Sequence, residues 1–501
     1  MADLLVRGGR LVDLDGDPHR PPVVDILVGK GRIAAVAPRI DAPGAEVIEA
    51  AGRLVVPGFV NAHYHSHDLL LRGAFDVTGL EYWAINALPR AYPPRGDAEL
   101  RLRTLLGAAE CLRGGITAVQ DMLTLFPLTA RQVEVVRQAY EEAGLRAVLG
   151  LQVADVSPLD TTPFWRETIP PDLHGNLAGP SAPADAPDPL AVMDEILAGG
   201  NSDLVRWAIC PSSPDRCSPA LLDRLAALAA RHDVPVCAHI YISRAEVVGA
   251  RRNYQNDGGS LVRHLAARGL LNRRLTLAHG VWLDDAEIAD LAAAGVSLAI
   301  NPLSNLKTKN GAAPIRKLMD AGVNLGIGCD NCSCSDAQNM FQAMKTLTFL
   351  AAISDPADGP PDAIDAFRAA TTGGARALGL PVGRIAPGMA ADLVLLDLAD
   401  PVYQPLNSAV RQIVYGESGR SVETVIVGGR VVMRDRKLVT IDEGALRAEL
   451  DDLMPGFRRD AAAVFARTAP LRAYIAAADR RIWAEDIGFS RYVGFGDRAT
   501  G

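Results

Sequence analysis

Pro57-Gly58-Phe59-Val60-Asn61-Ala62-His63-Tyr64-His65-Ser66-His67 is an apolar run that ends in two histidines one residue apart. Side chains at i and i+2 of a strand share a face. If the strand lines a barrel, His63 and His65 point together into its mouth and offer two imidazoles to one cation, and imidazole is a common ligand for zinc and similar metals. The other reading is a pair of histidines in a polar loop. The Pro-Gly entry and the residues further along the chain favour the metal site.

Those residues recur at the ends of other strand-like segments. The pattern alternates short apolar strands with helices whose apolar positions recur at three and four, as in 99–111, 131–142, 219–232 and 285–293. Such alternation reads as a parallel α/β fold. Candidate strands cover 58–63, 116–121, 146–151, 204–210, 235–239, 275–279, 296–300 and 324–330. Eight strands fit a (β/α)8 barrel, whose chemistry sits at the C-terminal strand ends. His63 and His65 end the first strand, His239 the fifth, His279 the sixth and Asp330 the eighth. Taken singly, each later histidine reads as a core or loop residue; five matched placements read as one site. His19, His174, His232 and His264 lack such placement and read as surface or structural residues.

The two ends of the chain read as β-structure. Leu4 to Val12, Val24 to Val36 and Glu46 to Val56 precede the barrel, and 391–397 and 425–432 follow it. Val425 to Val432 nearly repeats Leu5 to Val12, both carrying Gly-Gly-Arg, so one small β domain assembled from both ends is expected, the alternative being two separate hairpin clusters. The expected organisation is a β-sandwich from 1–56 and 383–442, a metal-binding barrel over 57–382, and a helical extension over 443–501 that packs on the barrel or on a second subunit. Residues 163–189, rich in Pro, Gly and Ala, read as a long surface loop over the strand ends.

Composition sets the outer limits. A chain of 501 residues with 49% hydrophobic content is long enough for a large core and a smaller domain. A net charge of −8 without a basic cluster argues against nucleic acid or an anionic membrane surface as partner. No uncharged apolar stretch of about 18 residues occurs, and the expectation is a cytoplasmic protein that forms a homodimer or higher homo-oligomer and takes a small-molecule substrate. Seven cysteines do not make a disulfide framework in so long a chain. Cys329-Asp330-Asn331-Cys332-Ser333-Cys334 could hold zinc, but no second cysteine or histidine pair nearby completes four ligands; buried, reduced side chains at a strand end are the better account.

With these motifs in hand, the chain resembles the amidohydrolase superfamily in its cytosine-deaminase-like branch, which includes the triazine hydrolases. The resemblance covers about residues 3–445. It rests on the 57–65 motif, Leu70-Leu71-Arg72-Gly73, Gly115 to Met122, Ala278-His279-Gly280, Asn301-Pro302-Leu303-Ser304-Asn305, Gly326 to Asp330 and Gly383 to Leu393. It implies a distorted (β/α)8 barrel flanked by a β-sandwich. It also implies one divalent metal, usually zinc and sometimes iron, held by His63, His65, His239 and Asp330, with His279 beside the reacting water. A metal of this kind brings the pKa of its water to about 7. Asp330 can take the water's proton and pass it on, while His279 orients the attacking oxygen and the developing oxyanion.

One departure stands out. The branch places a glutamate three residues after the fifth-strand histidine, where it protonates a ring nitrogen of the substrate; here that position is Ile242. Glu246 matches a second family glutamate, more often structural. Tyr241, Ser243 or Glu246 could substitute, or the substrate needs no such proton. Three readings therefore stand: removal of an amine or similar leaving group from a small nitrogen-containing ring, hydrolysis of a C–N bond in a cyclic amide or imide, and a non-catalytic metal binder. Trp83 with Tyr82 and Phe75 could form an apolar lid. Arg72, Gln120, Tyr241, Ser304 and Asn305 complete the candidate substrate-binding set.

Overall fold

In the computed structural model, which describes residues 4–354, 359 and 361–492, the first histidine strand runs Phe59–His65 and is buried at every position. Residues 1–3, 355–358, 360 and 493–501, which fall at the edges of or inside the three expected regions, lie outside the described residues. Seven further parallel strands follow the first around the barrel: Ile116–Leu123, Arg146–Val153, Val205–Pro211, Val236–Ile240, Leu275–His279, Ser297–Ile300 and Asn324–Ile327. The eighth returns to the first through the Ile327↔Asn61 pairing, which closes the ring.

Several strand ends differ from expectation by one to three residues, and the differences in the first and eighth strands matter to the site. The first strand continues two residues past His63 because Asp330 and Asn331 pair beside Tyr64 and His65. The eighth is interrupted at Gly328, where an added Cβ would lie 2.1 Å from Asn301 Oδ1 and 2.7 Å from His63 Cβ. Only a residue without a side chain lets the chain pass there and swing Asp330 inward.

Helices cover the barrel as their apolar spacing predicts, among them Asp97–Arg113, Ala130–Ala143, Pro219–His232 and Asp285–Ala294. Their starts carry the expected capping chemistry. Thr129 and Ser218 accept from backbone N–H groups of the first turn, and Asp284 with Glu287 forms a reciprocal capping box.

Nine strands from both chain ends make a second sheet. Its centre joins the two ends directly: Leu393–Asp397 lies antiparallel to Arg53–Pro57. Val6, Ile26, Val28, Ile33, Val55, Leu393, Leu395 and Ile426 form its own apolar core. The two Gly-Gly-Arg stretches do different work there. Gly428 and Gly429, both at positive φ, turn the hairpin between Val422–Val427 and Arg430–Arg434. Gly8, also at positive φ, sits in a bulge of the strand Leu4–Leu11, where its N–H donates to Asp25 Oδ1 at 2.8 Å.

Residues 163–189 are more structured than the loop expected from composition. They contain the short helices Trp165–Thr168 and Pro171–Leu177, and Trp165 and Ile169 enter the core. The apolar side chains outweigh the Pro/Gly content, since burying a tryptophan removes a large apolar area from water. The C-terminal helices Glu443–Thr468 and Arg472–Ala484 pack on the barrel of the same chain. Phe457, Ala461 and Val464 join Leu80, Trp83 and Ile242 in one apolar cluster, so the extension roofs the strand ends.

Barrel and end sheet are tied by a buried ion pair. Arg146 Nε and Nη2 donate to the two carboxylate oxygens of Asp392 at 3.2 and 3.1 Å, with both side chains buried. The Gly428 N–H donates to the same carboxylate at 2.8 Å. Removing one member strands the other charge out of water, so Asp392→Ala is expected to cost about 3–5 kcal/mol. The measurement is the urea midpoint of the purified variant; a midpoint unchanged from wild type would show that the pair does not anchor the sheet.

Candidate metal and active site

Five side chains meet at the C-terminal ends of the first, fifth, sixth and eighth strands. His63, His65, His239, His279 and Asp330 are all buried. Two overlapping triads, His63 with His239 and His279 and His63 with His65 and Asp330, bring their ligand atoms within 4.8 Å of one another. His63 Nε2 lies 3.2 Å and His65 Nε2 3.6 Å from Asp330 Oδ1, and His279 Nε2 lies 3.8 Å from Oδ2. His279 and Asp330 both adopt positive φ, an uncommon conformation for residues with side chains and one that concentrates at functional sites.

Proton placement shows what this cluster is built to receive. His65 Nδ1 is 2.9 Å from the Met122 carbonyl oxygen, and His239 Nδ1 is 2.5 Å from that of Ser212. A carbonyl oxygen only accepts, so each Nδ1 carries the proton and each Nε2 is a bare lone pair. These two Nε2 atoms nevertheless face each other at 3.2 Å. Two acceptors cannot bond; they need a cation between them. Burial, with His63 alongside, lowers His65 to about 3, and burial among His63, His65 and His279 takes His239 well below the usual imidazole range. At neutral pH that cation is therefore not a proton.

The rest of the cluster is in the same ligand-ready state. Neither ring nitrogen of His63 completes a hydrogen bond within the protein, although both are buried. Burial opposes the charge of Asp330, but His63, His279 and His65 around it hold the carboxyl well below its ordinary range, as an anion. Four imidazoles and one carboxylate, three of the histidines fixed by second hydrogen bonds, fit a divalent metal. Burial lowers His279 to about 4 against the pull of Asp330. Its Nδ1 pairs with Asn305 Oδ1 at 2.9 Å, which leaves Nε2 as an acceptor facing Asp330.

Of the other residues expected at the site, Trp83 lines the small cavity over the metal cluster, about 40 Å³ in volume, and donates from Nε1 to Ser333 Oγ at 2.8 Å. Ser304 and Asn305 stand one step behind, bonded to Asp330 and His279. The structure places three residues elsewhere. Arg72 points to the surface side and pairs with Glu110. Gln120 is held inside the barrel, donating to Cys237 Sγ at 3.4 Å. Tyr241 turns outward at a positive φ, and its hydroxyl donates to Glu287 at 2.7 Å. Of the lid residues, Phe75 packs edge-on against Phe465.

The cysteines around Asp330 are buried and unpaired, like the other four. Burial pushes the Cys329, Cys332 and Cys334 thiols up, which keeps them inert. Their loop is pinned by Asp68, which accepts from the N–H groups of Cys332 and Ser333, each at 3.0 Å, and from the Ser333 hydroxyl.

Sequence reading missed Gln152, Arg216 and Asn310, which line the same cavity as the metal ligands. Gln152 lies one residue beyond the expected end of the third strand. Arg216 lies in the turn after the fourth strand, one helical turn past Ser212, without a motif of its own. A second cavity of about 930 Å³ adjoins the first, and Leu80, Ala84, Leu88, Gln152, Ser212 and Arg216 line both.

Known proteins share this architecture. Residues 54–432 match the amidohydrolase family. The chain is 34% identical over 446 residues to the 5'-deoxyadenosine deaminase of Methanothermobacter thermautotrophicus, covering 88% of this chain and 95% of that protein. It is 33% identical over 435 residues to the 5-methylthioadenosine/S-adenosylhomocysteine deaminase of Thermococcus onnurineus, covering 87% and 95%. An adenosine deaminase from Xanthomonas campestris, solved with bound zinc, superposes with a TM-score of 0.79 at 30% identity over 91% of this chain and 99% of that one. At 24% identity and a TM-score of 0.78, the atrazine chlorohydrolase of Arthrobacter aurescens TC1 shares the fold, covering 90% and 100%. The strand-end histidines, the closed barrel and these matches agree: the chain belongs to the amidohydrolase family and is a metal-dependent hydrolase of C–N bonds.

Proposed function

We propose that the protein removes an amino group, as ammonia, from a carbon of a small nitrogen-containing ring. The facing Nε2 atoms of His65 and His239, beside an ionised Asp330, carry this reading, because they make a cation site whose open side meets a cavity. His63, His65, His239 and Asp330 would hold the metal, and zinc is the ion this donor set favours. A divalent metal in this site supplies Lewis acidity, so that water becomes a nucleophile near neutral pH. Asp330 takes the water's proton and returns it to the departing nitrogen, and the bare Nε2 of His279 orients the attacking oxygen. Asn305 keeps that nitrogen bare by accepting from Nδ1, and Ser304 holds the second oxygen of Asp330. The names of the relatives, deaminases of adenosine derivatives, support the class of reaction. A homo-oligomer in the cytoplasm is proposed alongside it.

Ile242 favours a second reading, hydrolysis of a C–N bond within a cyclic amide or imide. An isoleucine beside the metal cannot relay a proton, and a carbonyl carbon needs less acid assistance than an aromatic ring carbon. The products separate the two: deamination releases ammonia, whereas ring opening yields a new carboxylate and none.

Metal analysis of the purified protein is expected to give close to one equivalent per chain, and chelation to lower the melting temperature, because a ligand that binds only the folded state stabilises it. A stoichiometry near two, or full activity without metal, contradicts the assignment. His279→Ala and Asp330→Asn are expected to lower kcat by about a hundredfold or more while circular dichroism stays unchanged. Near-full turnover by His279→Ala would remove that residue from the reaction.

A further inference from the structure

Adding an oxygen to an aromatic ring carbon pushes an electron pair onto a ring nitrogen, and that nitrogen needs a proton. Of the residues that line the small space over the metal ligands, Asp330 carries the water's proton, and Arg216 keeps its own at any working pH. Ile242 has none to give. The larger cavity is richer in acids: among the described residues, Glu81, Asp155, Asp188, Asp215 and Glu246 line it. Four of these are tied to partners that do not line the small space. Asp155 accepts from the Ser218 N–H and hydroxyl at 2.7 and 2.6 Å, and Asp188 pairs with Arg224 at 3.3 Å. Asp215 accepts from the Ser213 hydroxyl, and Glu81 from the Ser243 hydroxyl at 2.5 Å. Glu246 differs. Its Oε2 accepts from the Ile242 N–H at 2.7 Å and its Oε1 from Arg216 Nη2 at 2.9 Å, and both partners line the small space.

The charges around Glu246 favour a proton on it. Three carboxyl groups, Glu246, Asp215 and Glu81, act on the one guanidinium of Arg216. A single positive charge does not balance three negative ones away from water, and Glu246 is the most buried of the three. Burial, followed by Asp215 and Glu81, raises its carboxyl to about 8 against the pull of Arg216 and the Ile242 N–H. Asp215 and Arg216 face it from the turn Pro214–Arg216 and Glu81 from the helix Leu80–Ala87. Asp479 of the C-terminal helix lies beyond Glu81, and Tyr254, at the end of Glu246's own helix, beyond Asp215. The same contacts suit the group to releasing its proton. Once it has left, Arg216 and the Ile242 N–H hold the carboxylate.

Resting on the deaminase reading, we propose that Glu246 is the general acid of the reaction and hands its proton to the ring nitrogen beside the carbon that loses its amino group. The water's oxygen forms a bond to the amino-bearing carbon, and the electron pair of the ring C=N bond moves onto the ring nitrogen. That nitrogen takes the proton of Glu246, whose electron pair stays on the carboxylate. Asp330 passes the water's first proton to the amino group. The exocyclic C–N bond breaks, and ammonia leaves with the bonding pair. The new hydroxyl becomes a carbonyl as it gives up its proton, which returns to Glu246 by way of solvent. Water has supplied an oxygen to the ring, one proton to ammonia and one, through Glu246, to the ring nitrogen. No other reactant is required.

The test uses the zinc-loaded, full-length protein and whichever of adenosine, 4-aminopyrimidine and 2-amino-1,3,5-triazine releases ammonia fastest. The protonated carboxyl is the working form, so kcat/KM is expected to fall as pH rises through about 8. Glu246→Gln should lose about a hundredfold or more in kcat, with KM within about threefold and the alkaline limb gone; Glu246→Asp should recover part of the rate. Asp215→Asn removes a like charge and should move the limb to lower pH, whereas Arg216→Met removes the balancing charge and should move it to higher pH. A Glu246 that only holds the start of its helix moves neither. Infrared difference spectra of the substrate-free protein against Glu246→Gln should show one protonated carboxyl that ionises near the same pH. If Glu246→Gln does not fold, the opposite shifts in Asp215→Asn and Arg216→Met decide. Near-full kcat in Glu246→Gln, a limb that neither charge variant moves, or no carboxyl that titrates there overturns the inference and leaves the deaminase reading standing. Ammonia from none of the rings overturns both.

Discussion

Two imidazole nitrogens held at 3.2 Å with their lone pairs facing are an arrangement the protein tolerates only for a cation. Much of the barrel's irregularity serves that confrontation. The carbonyl oxygens of Met122 and Ser212, at the ends of the second and fourth strands, take the Nδ1 protons of His65 and His239 and so set the direction of both lone pairs. Asp330 reaches the same point because the chain breaks its eighth strand at Gly328 and re-pairs beside Tyr64 and His65. The site is therefore built by backbone geometry at strand ends, with the side chains as its last layer.

Around this charged centre the walls are mostly apolar, and that contrast gives the site its strength. Leu80, Trp83, Ile242 and Cys334 exclude water on one side, beneath a roof made by Phe457, Ala461 and Val464 of the C-terminal extension. Low dielectric around a few fixed polar groups raises the worth of each interaction and the cost of any unmatched one. In that setting Glu246 accepts from both the Ile242 N–H and Arg216, and burial raises its carboxyl to about 8.

The adjoining cavity of about 930 Å³ has room for far more than a bare ring, while the space over the metal ligands is about 40 Å³. Most of the open volume therefore lies beside the candidate metal ligands and not over them. The segment 163–189 shapes that space, and Trp165, buried in the core, fixes it in place.

Much of this was legible in the chain itself. Alternation of strand and helix periods, His63 and His65 at i and i+2, and the matched placement of His239, His279 and Asp330 point to a barrel with one metal site, because strand geometry makes side-chain direction a matter of counting. The pairing of the two chain ends was legible too, in the repeated Gly-Gly-Arg text. Only the tertiary structure decided that one copy is a bulge in a strand and the other a hairpin turn, since the neighbouring strands, and not the local residues, set which hydrogen bonds are available. The same holds for the candidate substrate contacts. Arg72, Gln120 and Tyr241 are of the right chemical type and close in sequence to the site, but Glu110, Cys237 and Glu287 draw them elsewhere. Arg216 and Gln152 carried no motif and line the cavity all the same. Ligands on regular strands are fixed by the period of the backbone; residues on the loops between them go where the partners brought in by folding pull them.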